Sequence, residues 1–76
     1  MAHLDRITVD PSVMGGRPCI RGMRFPVSRL LGLLAGGEDQ ATILRSHPDI
    51  ELEDIKQALT YAALLADNQV VALRTA

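Results

Sequence analysis

The sequence is poor in aromatic residues, has no tryptophan, and holds one cysteine. Phe25 and Tyr61 supply little large-ring burial, so Leu, Ile, Val and Ala must build the core. Cys19 alone cannot close an internal disulfide, and no Cys/His set has metal-ligand spacing, so the two usual staples of a small domain are excluded. Long apolar runs are also missing. The strongest stretches, Leu30–Leu34 and Ala62–Ala66, fall far short of the roughly 20 residues that cross a bilayer. Residues 1–6 lack the basic region and long apolar segment of a leader. A lone unpaired cysteine suits a reducing compartment, so a cytoplasmic, membrane-free protein is expected.

What is present is a chain of 76 residues, 47% of them hydrophobic, which argues for a globular domain over a disordered tail. One domain fits that length, and it buries only about 60% of the surface its unfolded form exposes. Such a monomer is marginal, so association, most simply as a homodimer, is expected. The net charge of −1 conceals a split. Residues 1–37 carry five Arg and two Asp, whereas residues 38–76 carry three basic and seven acidic side chains. Arg17, Arg21, Arg24 and Arg29 lie within thirteen residues that contain no carboxylate. Two readings stand side by side: a basic surface aimed at phosphate or a carboxylate-rich partner, or internal ion pairs with the acidic half.

The first 26 residues read as a strand-and-turn arm. Arg6–Asp10 alternates as a half-buried strand does, and Asp10-Pro11-Ser12 breaks it. Gly15 and Gly16 permit positive φ, Pro18 keeps the chain extended, Cys19–Arg21 forms a second short strand, and Gly22 marks a turn or bulge before Pro26. Strands this short must lie on the helices or pair with another copy. Residues 27–67 read as three helices. Val27, Leu30, Leu31 and Leu34 share one face of the first, with Ser28 as N-cap and Gly36-Gly37 as its end. Asp39 caps a second, with Ala41, Ile43 and Leu44 as its apolar face, stopped by His47-Pro48. A third starts near Glu51 or Leu52, and its apolar stripe runs through Leu52, Ile55, Leu59, Ala62, Ala63 and Ala66. It ends near Asn68, leaving residues 68–76 as a tail that is frayed or bound to a partner. The expected fold is all-α: a three-helix helix-turn-helix bundle, homeodomain-like or winged-helix-like, with a short N-terminal β arm.

The run Gly15-Gly16-Arg17-Pro18-Cys19-Ile20-Arg21-Gly22-Met23-Arg24-Phe25-Pro26-Val27 resembles the signature of a bacterial family, domain of unknown function 433. The resemblance continues through residues 37–44, Pro48 and residues 52–62, and spans about residues 4–65. Three positions depart from the pattern. Met23 stands where Thr or Ser is usual, Glu51 stands where a Ser or Thr N-cap is usual, and Thr42 replaces the acid of a capping box. The resemblance implies a helix-turn-helix antitoxin paired with a PIN-like ribonuclease toxin, with repression of its own operon by operator binding as a further expectation.

Chemistry weighs those functions. His3, His47, Cys19 and the nine carboxylates form no recognisable nucleophile–base pair. Asp5 and Asp10 fall on opposite faces of a regular strand, and Gly15-Gly16-Arg17 lacks the Lys-Ser/Thr of a phosphate loop. Neither catalysis nor a cofactor is expected. A helix-turn-helix presents the start of its second helix to DNA, but that end here carries Asp49, Glu51, Glu53 and Asp54, which repel phosphate. Only Lys56, Gln57 and Thr60 on the third helix suit DNA, so operator binding should be weak and salt-sensitive. A PIN-like toxin instead concentrates carboxylates around a metal, where Arg21 and Arg24, flanking the Gly22 turn, could form bidentate pairs. The competing reading has these arginines bracing the acidic third helix. A free-standing helix-turn-helix DNA-binding regulator without a toxin partner is the alternative function. Ala58, Ala62, Ala63 and Ala66 would let another helix approach closely.

Overall fold

A computed structural model of the chain describes residues 4–68. In chain order it holds β1 (Ile7–Thr8), a 3-10 turn at Met14–Gly16, β2 (Cys19–Ile20), α1 (Val27–Ala35), α2 (Gln40–Ser46) and α3 (Leu52–Asn68). Three helices with a short antiparallel β ribbon match the expected architecture. The tail beyond Asn68, and with it the expectation of a partner-bound segment there, lies outside the described residues.

Both strands are shorter than the sequence suggests, and they pair with each other: Ile7 sits opposite Ile20 and Thr8 opposite Cys19. Asp10 ends the first by accepting bonds from the Ser12 N–H and hydroxyl at 2.9 and 2.8 Å, an Asx turn. Met14, Gly15 and Gly16 all take positive φ, which two glycines in a row make cheap. β2 is also bridged on its other side, Cys19 to Pro26, through a turn in which the Met23 N–H donates to the Ile20 carbonyl at 2.8 Å. Both central residues of that turn, Arg21 and Gly22, have positive φ (44° and 72°), the mirror-image geometry that suits tight hairpins. Thr8 Oγ1, from across the ribbon, accepts from the Gly22 N–H of this turn at 2.8 Å.

Helix α1 begins after Pro26 rather than at Ser28. Pro26 carries no side-chain cap. The first helical N–H, that of Val27, instead donates to the Pro18 carbonyl at 2.9 Å, so the β arm satisfies an end that a serine would otherwise cap. Its C-terminus is a full Schellman motif: Glu38 N–H to Leu33 carbonyl at 3.1 Å and Gly37 N–H to Leu34 carbonyl at 3.0 Å, with Gly37 at φ 98°. Asp39 caps α2 as expected, accepting from the Thr42 N–H at 2.8 Å, and His47 closes it. Ile43 of α2 is buried, whereas Ala41 faces solvent.

Helix α3 differs most from expectation. Ile55 and Ala58 are buried, but beside them lie Asp54 and Gln57, while Leu52, Leu59, Ala63 and Ala66 are exposed. The apolar stripe is therefore turned partly outward. Asp54 and Gln57 bond the β arm, and those bonds fix the helix rotation that periodicity alone assigns otherwise. The core joins both regions: Ile20 and Phe25 of the arm cluster with Val27, Leu30, Ile43, Ile50, Ile55 and Ala58.

Candidate functional site

The fully buried charged side chain among the described residues is a carboxylate. Asp54 is wholly buried, and both of its oxygens are engaged. Arg21 forks onto it, Nε to Oδ1 at 3.1 Å and Nη2 to Oδ2 at 3.0 Å. Arg6 Nη1 adds a bond to Oδ1 at 3.2 Å and one to Glu51 Oε1 at 2.6 Å. The Glu51 N–H donates to Oδ2 at 2.8 Å, so Asp54 reaches back to cap its own helix, the half of a capping box that does not need Ser or Thr at Glu51. Arg21 also donates to the Asp49 carbonyl.

These contacts set the charges. Burial pushes the Asp54 carboxyl up, but the bonds from Arg21, the Glu51 amide and Arg6 outweigh it and hold it below the usual carboxylate range. Bonding to Glu51 and Asp54 raises Arg6, and bonding to Asp54 raises Arg21. Beside this cluster, Gln57 donates from Nε2 to Asp5 Oδ1 at 2.7 Å and accepts the Arg6 N–H on Oε1 at 2.9 Å. The acidic start of α3 and the arm are thus clasped together by Asp54 and Gln57.

The candidate arginines separate into three kinds. Arg21 is an internal brace, fixed in a positive-φ turn that a non-glycine residue enters at a cost of roughly 1–2 kcal/mol. Arg29 lies over the Phe25 ring, 4.7 Å from its centroid, while His47 meets that ring edge-on at 5.4 Å. Arg17 and Arg24 are exposed and, among the described residues, have no ion pair or side-chain hydrogen bond. Arg17 lines an open groove of about 300 Å³ between α1 and α3, together with Pro18, Val27, Ser28, Leu31, Tyr61 and Leu65. The turn residues Gly15, Gly16, Pro18, Gly22 and Pro26 shape the segment that carries these arginines.

On α3, Gln57 is corrected from a candidate DNA contact to a buried structural amide, because both ends of its amide already serve the arm. Thr60 is half-buried and its hydroxyl donates to the Lys56 carbonyl at 3.1 Å, which leaves Lys56 as the exposed cation on that helix. Among the described residues no cluster of His, Cys, Asp and Glu could hold a metal, and no helix is long and apolar enough to cross a membrane. Sequence reasoning missed Arg6 and Asp54 as a pair. They lie 48 positions apart, and the sole local hint is an acid three residues after Glu51 at a helix start.

The model of a family described as protein of unknown function (DUF433) matches residues 7–62. Among proteins, an uncharacterized protein y4eO from Sinorhizobium fredii (strain NBRC 101917 / NGR234) is 34% identical over 56 residues, covering 74% of this chain and 25% of that protein. Among structures, a DUF433 member from Anabaena variabilis ATCC 29413 superposes with a TM-score of 0.76 at 28% identity, covering 84% of this chain and 63% of that one. The chain thus spans a quarter of the first relative and less than two thirds of the second.

Proposed function

From the premise that this chain belongs to the DUF433 family, a family of unknown function, we propose that it is an antitoxin-like binding protein that inhibits a PIN-like ribonuclease. Arg17 and Arg24 make the contact in this reading, with Arg29 beside them. The observation that carries it is the pair of exposed guanidinium groups, Arg17 and Arg24, which have no ion pair or side-chain hydrogen bond among the described residues, on a segment otherwise fixed by Arg21, Asp54 and the Phe25 contacts. Arginine donors on a segment already fixed spare the cost of ordering its backbone when they meet carboxylates, and the carboxylates around a nuclease metal are such a target. Acids at the start of α3 favour a protein partner over operator DNA, since Glu53 is exposed there beside Glu51, which Arg6 pairs, and Lys56 is the one cation that α3 itself carries.

The test starts at the neighbouring gene, where a PIN-like nuclease is expected; its activity is then titrated with this chain, and a neighbourhood without such a nuclease favours the free-standing regulator. Stoichiometric inhibition is expected, weakened at least tenfold by Arg17→Glu/Arg24→Glu, the order expected for losing one charge-assisted pair. Full nuclease activity at saturating chain would overturn the reading. Tight, salt-sensitive binding to promoter DNA by the chain alone, with no effect on the nuclease, would replace it with the free-standing regulator.

A further inference from the structure

Helix α3 carries a second stripe, opposite the one that binds the arm. Leu52, Lys56, Leu59, Ala63 and Ala66 follow one another at intervals of four and three residues, and all five are exposed. This is the 3.5-residue spacing with which one helix meets another along a seam. Leu52 and Leu59 are 44% and 46% exposed, so the described residues of the chain do not cover it.

We propose that this stripe pairs with the same stripe of a second copy, antiparallel, about a two-fold axis that crosses the exposed face of α3 midway between Leu59 and Ala63. The stripe is complementary to itself in that one arrangement. Reversal about residue 61 sets Leu59 opposite Ala63 of the second copy, a large side chain over a small one, and symmetry repeats the contact. It also sets Lys56 opposite Ala66 of the second copy, one position from Asp67. On a helical projection Lys56 and Asp67 fall on the same flank of the stripe, so the two-fold brings each ammonium beside a carboxylate of the other copy. Parallel pairing instead stacks Lys56 on its own symmetry mate, which repels. A second copy therefore fits by both shape and charge.

Reversal about residue 61 overlaps residues 54–68 of α3, a seam about 22 Å long and one helix wide, less than the roughly 800 Å² per partner of a standard stable interface. The dimer accordingly dissociates on dilution. It needs no toxin, so its failure and that of the inhibitor reading are separable.

Sedimentation velocity on the full chain tests it from about 1 µM to about 500 µM, the range in which so small an interface should dissociate. Monomer is expected at the low end and dimer at the high end. Leu59→Glu should remain monomeric throughout while keeping its helical circular dichroism. Lys56→Glu should weaken dimerisation at least tenfold, and Lys56→Glu/Asp67→Lys should restore it. Oxidised Leu59→Cys/Ala63→Cys should run as a covalent dimer, since Cys19 is buried. A monomer at every concentration, or a dimer indifferent to Leu59→Glu, overturns the proposal.

Discussion

Replacing Asp54 by alanine should remove about 3 kcal/mol of stability, a large share of what a domain of this size has. The carboxylate is fully buried and takes four hydrogen bonds from two arginines, and a fifth from the Glu51 amide. Its removal strands Arg6 and Arg21 against each other and uncaps α3. Fully buried pairs cost about 3–5 kcal/mol when one partner goes; the lower end applies here because the arginine side chains are 29% and 35% exposed and water can take over part of their bonding. Urea unfolding followed by circular dichroism measures the change.

The same group predicts an acid limb. A carboxyl held below its unfolded value stabilises the fold fully above the ordinary carboxylate pKa, about 3.9, and that contribution is lost as pH falls through the folded value. Asp39 and Asp10 act in the same direction, held down by amide bonds from Thr42 and Ser12. Melting temperature should thus fall steeply below about pH 4, and Asp54→Asn should start lower and fall less steeply. An identical pH profile in parent and variant would refute the assignment.

The second large effect falls on the arm. Ile20→Ala should cost about 3 kcal/mol, or roughly 12–24 °C in melting temperature. Ile20 is completely buried, on a strand flanked by β1 on one side and the Phe25–Pro26 segment on the other, and it packs in one cluster with Leu30, Ile43 and Ile55. A residue on an appended arm would cost far less. A shift under about 3 °C would show that the helices hold together without the ribbon.

Local signals carried most of the fold. Gly37 stops α1, Asp39 starts α2, His47-Pro48 stops it, and each does so by a bond to its own near neighbours. The rotation of α3 was hidden because Leu52, Leu59, Ala63 and Ala66 are as apolar as the residues that are buried. Bonds from Asp54 and Gln57 to Arg6, Arg21 and Asp5, 33 to 52 positions away, decide which face turns inward. The basic segment was legible as a cluster, but its division was not. Arg21 and Arg24 flank the same glycine and look equivalent in sequence; only the turn at Gly22 aims one at Asp54 and leaves the other in solvent.

That division is the centre of the account, and thermal unfolding of Arg21→Ala beside Arg24→Ala tests it most directly. Arg21→Ala should melt at least about 5 °C below the parent, because it deprives a buried carboxylate of its bidentate partner, whereas Arg24→Ala should stay within about 2 °C. Equal melting temperatures for the two variants, or a larger loss from Arg24→Ala, would contradict it.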